Sequence, residues 1–124
     1  MKVLFFIFLF MVIMVALSVD HKPERGVNCK GFTLYQKGIA SWYGDYFDGR
    51  RMSNGKPFDM NAYTVAHREI PNGTMVCIVN PKNKKAVIAV VTDWGPKPKG
   101  RIIDLSKRIA TELQIGLGPV EVYR

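Results

Sequence analysis

The chain has 124 residues, 18 of them lysine or arginine and 10 aspartate or glutamate, so its formal net charge is +8. This length leaves room for one domain, and the positive field predicts an anionic partner. The two cysteines and two histidines show no metal-ligand spacing, which excludes a structural zinc site of the usual kind.

Residues 1–18 have the features of a signal peptide. A positive start at Lys2 precedes an uninterrupted apolar run of 15 residues, Val3 to Leu17, and small residues lead up to Ser18. This pattern predicts export to the periplasm, cell envelope or extracellular space, with cleavage after Ser18. The alternative is a retained membrane anchor, but a helix of 15 residues rises only about 22 Å against a hydrocarbon core of about 30 Å. Because no cysteine directly follows the run, we expect no lipid anchor.

Export also bears on the partner of this basic chain. A secretory leader argues against nucleic acid, so we expect no nucleic-acid partner, and anionic cell-wall polymers fit an exported protein better. The alternative is that a set of lysines in the second half of the chain are simply solvated loop charges. These are Lys82, Lys84, Lys85, Lys97 and Lys99.

Residues 19–37 are polar and lack clear periodicity, and we interpret them as a linker or extended lead-in to a domain over residues 38–124. The two cysteines of an exported chain of this size suggest a disulfide between Cys29 and Cys77. The alternative is that Cys77, which lies inside an apolar run, is a buried free thiol.

From Gly38 onward, short apolar runs alternate with turn signals, a pattern typical of a small all-β barrel. The turn signals are Asp48-Gly49, Asn54-Gly55, Pro71-Asn72-Gly73 and Asn80-Pro81. Residues 74–79 and 86–91 are β-branched apolar runs joined by a lysine-rich turn, which predicts a hairpin. Because their hydrophobicity is continuous rather than alternating, we expect both faces of these strands to be covered.

One helix is predicted after residue 104. Asp104 can cap it, and apolar residues follow at helical spacing at positions 105, 109, 110 and 113. Gly116 and Gly118 are expected to end it. Residues 120–123 then predict a final strand.

Five short motifs follow one another along the same region. They are Gly38-Ile39-Ala40-Ser41-Trp42-Tyr43-Gly44, Ser53-Asn54-Gly55-Lys56-Pro57-Phe58-Asp59, Val65-Ala66-His67-Arg68, Val91-Thr92-Asp93-Trp94-Gly95-Pro96 and Gly100-Arg101-Ile102-Ile103-Asp104-Leu105-Ser106. In this order and at these spacings they resemble the rare lipoprotein A family and, more distantly, the expansins. The resemblance covers residues 38–122. It implies a six-stranded double-psi β-barrel with one short helix, and an endolytic lytic transglycosylase that cleaves MurNAc–GlcNAc strands of peptidoglycan and forms anhydro-sugars.

The same resemblance implies three catalytic candidates. Asp93 matches a catalytic aspartate of the family. It ends an apolar strand, where it can serve as a general acid. The alternative is an aspartate that only accepts hydrogen bonds from nearby backbone N–H groups in a turn. His67 matches a family histidine linked to activity, as an orienting partner or proton carrier. On sequence alone, a histidine at the end of a strand is more often a packed or surface residue than a catalytic one. Asp104 resembles the aspartate of the Asp-Leu-Ser motif of expansins, beside its predicted role as a helix cap.

Other motif residues are candidates for substrate binding. Trp42, Tyr43 and Trp94 are aromatic side chains of the kind that stack on sugar faces, and their alternative is packing in the core or at the rim of the barrel. Asn54 can hydrogen-bond a substrate, although Asn-Gly is first of all a turn signal. Asp59 is interpreted as a turn residue.

Lys56 departs from the family pattern, because the family usually carries a catalytic glutamate there. Three interpretations follow: Asp93 with His67 suffices for cleavage, another acid such as Asp45 or Asp48 substitutes, or the domain only binds glycan. Lys56 is itself a candidate contact for substrate. The rival function is therefore a non-catalytic wall-binding or expansin-like loosening module. We expect a monomer without metal or other cofactor.

Overall fold

A computed structural model of the chain describes residues 27–44 and 47–124. Within these residues, six strands close into a barrel, and one helix precedes the last strand. The elements are β1 (Leu34–Tyr43), β2 (Thr64–His67), β3 (Met75–Val79), β4 (Ala86–Asp93), β5 (Arg101–Ser106), α1 (Lys107–Leu113) and β6 (Gly118–Tyr123). Their order around the barrel is β1-β5-β2-β4-β3-β6. The predicted all-β fold, a six-stranded barrel with one short helix, is confirmed.

Strand direction in this barrel is mixed. β1 pairs parallel with β5, and β2 pairs parallel with β4, whereas the other four pairings are antiparallel. The predicted hairpin is confirmed as β3 and β4, and the predicted final strand as β6. Aliphatic side chains from the strands and from α1 fill the interior, with Ile78, Ile103, Leu105, Ile109 and Leu113 among the largest fully buried ones.

The disulfide explains why the apolar run of β3 is continuous. Val76, Cys77 and Ile78 are all fully buried, although successive residues of a strand face opposite sides. Val76 and Ile78 belong to the core cluster, whereas Cys77 is bonded to Cys29 with an S–S distance of 2.04 Å. The bridge is therefore confirmed, and the free-thiol alternative is wrong.

The barrel begins earlier than the sequence indicated. β1 starts at Leu34, so interpreting residues 34–37 as lead-in is wrong. Just before it, Thr33 and Arg124 exchange two backbone hydrogen bonds of 2.9 Å, which tie the start of the barrel to its end. The predicted signal peptide, residues 1–18, lies outside the described residues. Within residues 27–44 and 47–124, no helix has the length and apolar character that crossing a membrane requires.

The helix is also bounded differently from the prediction. Ser106 caps it instead of Asp104, and its hydroxyl accepts a hydrogen bond from the N–H of Ile109. Asp104 is unavailable as a cap because it remains inside β5, which pairs with strands on both sides. At the other end Gln114 adopts a left-handed conformation with φ of 56°, so the helix ends before either predicted glycine.

We predict that the disulfide contributes a large share of the stability. It joins residues 48 positions apart, and closing a loop of that length stabilises by about 4 kcal/mol in the chain-entropy account. Cys29→Ser should lower the free energy of unfolding by about 2–4 kcal/mol in urea titrations. Reductant should lower the melting temperature of the parent and leave that of Cys29→Ser unchanged. Identical melting curves for the parent with and without reductant would contradict this.

Candidate functional site

Four neighbouring strands place one residue each in a single row across the barrel wall. Ser41 of β1 pairs with Asp104 of β5, and Asp104 pairs on its other side with Ala66 of β2. Ala66 pairs in turn with Asp93 of β4. Since adjacent strands lie about 4.8 Å apart, the backbones of the two aspartates are about 10 Å apart with only a methyl side chain between them.

A β-bulge sets this row. Val65 pairs with Val91, but the next residue, Ala66, pairs with Asp93 instead of Thr92. The register shift moves Asp93 into line with Ala66 and Asp104. Bulges of this kind re-aim side chains and are frequent beside active sites.

All four residues of the row line one cavity of about 440 Å³. Its wall combines two carboxylates, two cations and several aromatic rings. The lining residues are Ser41, Trp42, Tyr43, Phe47, Ala66, Asp93, Trp94, Gly95, Pro96, Lys97, Pro98, Arg101 and Asp104. The cavity therefore brings together five of the eight site candidates taken from the sequence. These are Asp93, Asp104, Trp42, Tyr43 and Trp94.

Asp104 lies half-buried in this wall. Burial raises its pKa above the ordinary value, and the nearby charge of Asp93 acts in the same direction. The hydroxyl of Ser41, which donates a hydrogen bond to Oδ1, and the guanidinium groups of Arg101 and Arg68 oppose this only in part. The net direction is upward, which suits a carboxyl group that must hold a proton.

Asp93 is held by the backbone. Its Oδ1 accepts hydrogen bonds from the N–H groups of Ser53 at 2.9 Å and of Trp94 at 2.8 Å. The loop before β2 is thus anchored on this carboxylate, and a further bond joins the N–H of Asn54 to the carbonyl of Thr92. Asp93 consequently has the turn-bonding role considered from the sequence and a place in the cavity at the same time.

Gly95 lets the backbone pass close to the row. Its φ of 144° is one that residues with a side chain rarely adopt, and its peptide bond to Pro96 is cis. A Cβ atom at Gly95 would lie 3.7 Å from Oδ2 of Asp104 and 3.9 Å from the Cβ of Ala66. The Gly-Pro pair of the motif therefore forms a wall of the cavity directly beside one of its carboxylates.

The two tryptophans are exposed aromatic residues of the cavity, as is Phe47, which is 43% exposed. Trp42 is 45% exposed and Trp94 is 55% exposed, so neither indole is packed in the core, and sugar binding by the two rings stays a prediction. Trp42 also lines a second cleft of about 370 Å³ that runs along α1 and past its carboxyl end. The remaining residues of that cleft are Lys107, Ala110, Thr111, Gln114, Ile115 and Gly116.

Tyr43 differs from the tryptophans. Its ring is stacked on Phe58 with centroids 4.3 Å apart, and the ring of Phe47 lies nearly perpendicular to it with centroids 5.7 Å apart. The packing alternative therefore describes its ring, while its side chain still lines the cavity.

His67 lies outside the cavity and is buried. Its Nδ1 accepts hydrogen bonds from the N–H groups of Glu69 and Ile70, so its Nε2 is the atom that donates to Oε1 of Gln36, at 2.8 Å. Burial lowers the pKa of the imidazole. This arrangement fixes the turn after β2, and a catalytic role for His67 stays a prediction.

Lys56 and Asn54 do not line the cavity either. The side chain of Asn54 accepts a hydrogen bond from the N–H of Lys56 at 2.9 Å, which closes the turn that Asn-Gly predicts. Both residues lie on the loop whose Ser53 binds Asp93. Substrate binding by these two side chains stays a prediction.

The alternative acids take other places. Asp48 accepts a hydrogen bond from the N–H of Met60 at 2.9 Å and does not line the cavity, while Asp45 lies outside the described residues. Asp59 accepts from the N–H of Asn61, as its interpretation as a turn residue indicated. Of the carboxylates in the described residues, those lining the cavity are Asp93 and Asp104.

Sequence reasoning missed three polar residues of the wall: Ser41, Lys97 and Arg101. Ser41 and Arg101 belong to quoted motifs, but their relation to Asp104 depends on strand register. The guanidinium of Arg68 donates to the carbonyls of Arg101 and Pro98 at 2.8 and 2.7 Å, which fixes the loop before β5. Among the described residues, no group of three His, Cys, Asp or Glu side chains is placed to hold a metal ion.

Comparison with known proteins identifies the family. A family model described as lytic transglycolase, of the double-psi β-barrel type, matches residues 35–122. The chain belongs to the rare lipoprotein A-like double-psi β-barrel family. The resemblance that the five motifs carry is thereby confirmed.

Three relatives show the extent of the match. The chain is 50% identical over 78 residues to the endolytic peptidoglycan transglycosylase RlpA of Neisseria meningitidis serogroup B, covering 63% of this chain and 33% of that protein. It is 48% identical over 86 residues to the probable enzyme of that name from Synechocystis, covering 67% and 27%. For the probable enzyme from Aquifex aeolicus it is 44% identical over 90 residues, covering 73% and 39%. The chain thus spans well under half the length of these relatives.

A solved structure supports the fold alone. The Streptomyces papain inhibitor superposes with a TM-score of 0.50 at 21% identity, over 73% of this chain and 97% of that one. At this identity the likeness concerns the architecture of the barrel.

We predict that Asp104→Asn changes the pH dependence of stability in a defined direction. Burial raises the pKa of Asp104 above 3.8, so the folded chain holds this proton more tightly than the unfolded chain. The parent therefore loses stability as pH rises from that value through the raised pKa, and Asn, which does not titrate, avoids the loss. In urea titrations the unfolding free energy of Asp104→Asn minus that of the parent should rise over this window and then level off. A difference that is constant, or that falls with pH, would contradict this.

Proposed function

We propose that this chain is a peptidoglycan lytic transglycosylase domain that cleaves MurNAc–GlcNAc strands internally and acts in the cell envelope. The observation that carries the proposal is the pair of carboxylates, Asp93 and Asp104, on either side of Ala66 in one cavity. Membership of a family whose relatives are named endolytic peptidoglycan transglycosylases supports it.

Asp104 is the proton donor in this proposal. Burial raises the pKa of this carboxyl, which increases the fraction that is protonated when substrate binds. The proton passes to the glycosidic oxygen as the bond between that oxygen and C1 of MurNAc breaks. The hydroxyl of Ser41 and the guanidinium of Arg101 then stabilise the carboxylate that forms.

Asp93 is the proton acceptor. Its Oδ1 is held by two backbone N–H groups, which orients Oδ2 for the reaction. Oδ2 takes the proton of the 6-hydroxyl of MurNAc as that oxygen attacks C1. One C–O bond forms for the one that breaks and no water is consumed, so the new end is a 1,6-anhydro sugar.

The rest of the wall suits a polymer of amino sugars. The exposed indoles of Trp42 and Trp94 offer apolar faces to sugar rings. Lys97 and Arg101 are cations that suit the lactyl carboxylates of MurNAc. Because Trp42 borders both the cavity and the second cleft, a strand can continue past the site of cleavage. An internal cut requires such continuity.

The second candidate function is a non-catalytic wall-binding or expansin-like module. The observation that favours it is Lys56, which stands where the family usually has a catalytic glutamate. On our proposal cleavage does not need an acid at this position, since the cavity already holds two carboxylates. A binding module would retain wall polymers and release no anhydro-sugar.

We predict that both carboxylates are required. Asp93→Asn and Asp104→Asn should each lower the rate of glycan cleavage by about 10²–10⁴-fold, because an amide of nearly the same shape cannot transfer the proton. The measurement is the rate of anhydro-product release from purified glycan strands free of stem peptides. Asp48→Asn is the matched control; its carboxylate lies off the cavity, and its variant should keep the parental rate. If either cavity variant cleaves at a rate within about tenfold of the parental rate, the substituted residue is not the proton donor or acceptor proposed above.

We predict that at saturating substrate Lys56→Gln cleaves within about threefold of the parent, since Lys56 does not line the cavity and loss of a substrate contact there would weaken binding rather than slow the chemical step. Lys56→Glu, which restores the family residue, is assayed beside it. If the parent and Lys56→Gln are inactive while Lys56→Glu releases anhydro-product, the chain is a binding module that has lost an essential acid. If all three retain wall polymers and none cleaves, the transglycosylase proposal fails.

A further inference from the structure

The second cleft, which runs along α1, supplies no group to the proposed proton transfers. Its volume of about 370 Å³ is close to the 440 Å³ of the cavity that contains the two carboxylates. Trp42 lines both of them, so the cleft and the cavity are neighbours on the surface. A strand that fills the cavity and continues past Trp42 therefore reaches the cleft.

Gly44 fixes the indole of Trp42 against the start of α1. A Cβ atom at Gly44 would lie 2.6 Å from Cζ3 and 3.3 Å from Cε3 of the indole, and 3.6 Å from the Cβ of Lys107. Gly44 is buried and is not among the residues with a positive φ, so it is needed for space and not for its backbone conformation. The six-membered ring of the indole therefore lies next to the first residue of α1, which also lines the cleft.

The lining of the cleft suits an N-acetylated sugar. Ala110 is buried and Ile115 is half-buried, and both offer apolar surface. Thr111 and Gln114 are exposed and add a hydroxyl and a carboxamide. The Oε1 of Gln114 accepts a hydrogen bond from Asn83 at 3.4 Å, which leaves its Nε2 as a donor for a ligand. Apolar surface with a few fixed polar groups is typical of small-molecule sites, and it matches the methyl, hydroxyl and amide groups of an amino sugar.

The end of α1 is anchored before any ligand arrives. Gln114 has a left-handed conformation, and its backbone N–H bonds to carbonyls of the last helical turn. The carbonyl of Leu113 accepts hydrogen bonds from the side-chain amides of Asn80 at 2.8 Å and Asn83 at 3.0 Å. The turn between β3 and β4 thus fixes this wall of the cleft. A wall that is already ordered lowers the entropic cost of binding.

We infer that the cleft along α1 is a further sugar-binding site, which holds an N-acetylated amino sugar of the same strand whose neighbouring units occupy the cavity. The inference rests on the proposed function and deepens it, because it states where the strand is held beyond the bond that is cut. The residues that line the cleft, all in the described part of the chain, include no carboxylate. The site therefore binds substrate and transition state alike, which lowers KM and leaves kcat unchanged.

Gly116 offers a way to fill the cleft. It lines the cleft, it is not among the residues with a positive φ, and a Cβ atom there would meet nothing within 4 Å. Gly116→Phe therefore places a ring in open space without strain. Leu117→Phe is the matched control, since Leu117 is 64% exposed and does not line the cleft. Both variants should melt within about 4 °C of the parent, as surface substitutions usually do.

The first measurement locates binding by NMR. A chitin hexamer is titrated into the Asp104→Asn variant, and the chemical shifts of its amides are followed. The signals of Thr111 and of the Gln114 carboxamide should move together with that of Lys97 in the cavity. With Gly116→Phe added, the movements at α1 should be lost while that of Lys97 persists. With Leu117→Phe added, all of them should remain.

The second measurement is the kinetics of cleavage of glycan strands free of stem peptides. Gly116→Phe should raise KM at least about threefold, as expected for the loss of contacts equivalent to one hydrogen bond, and should keep the parental kcat. Leu117→Phe should keep both parental values. Should Gly116→Phe not fold, Gln114→Gly takes its place with the same expected rise in KM, because glycine accepts the left-handed conformation.

The outcomes separate the inference from the proposed function. If the parent releases no anhydro-product, but the hexamer moves the α1 signals and Gly116→Phe abolishes these movements, the transglycosylase proposal fails and the sugar site stands. If the parent cleaves while the hexamer moves the signal of Lys97 and none at α1, the inference is overturned and the proposed function stands. A parental KM in Gly116→Phe, or an equal rise of KM in Leu117→Phe, overturns the inference as well.

Discussion

The site depends on the register of β2 between β4 and β5. A single bulge brings Asp93 level with Ala66, and the regular antiparallel pairing of β2 with β5 keeps Asp104 level on the other side. If β2 paired with β4 without the bulge, Thr92 would stand beside Ala66. The register of the sheet therefore sets the distance between the two carboxylates, and the rigidity of the closed barrel maintains that distance.

Much of the fold was predictable because it depends on local patterns. The hairpin of β3 and β4 follows from two apolar runs and a polar turn, and the pairing of Cys29 with Cys77 was one of two alternatives that cysteine number allowed. The start of β1 was missed because residues 34–37 are mostly exposed and lack an apolar pattern. The cap of α1 was misassigned to Asp104 because the sequence does not show that β5 is paired on both sides through Ser106.

The site was predictable in part for the same reason. Motifs identified Asp93, Asp104 and the aromatic residues, since each lies inside a recognisable pattern. They did not show that Asp104 is the second carboxylate of the cavity, nor that the nitrogens of His67 are engaged in hydrogen bonds with the turn after β2 and Gln36. These facts follow from strand register and burial, which bring together residues distant in the chain. Lys56 remains the residue for which family pattern and geometry give different expectations.

Mass spectrometry of the products from purified glycan strands tests the central claim most directly. If Asp93 and Asp104 direct the attack of the 6-hydroxyl on C1, every cut yields a 1,6-anhydro end, and the masses of the two fragments add up to that of the intact strand. Fragments that together carry one additional water would show hydrolysis and contradict the assignment of Asp93 as the base for the 6-hydroxyl. Strands recovered uncut, but bound to the protein, would contradict cleavage itself.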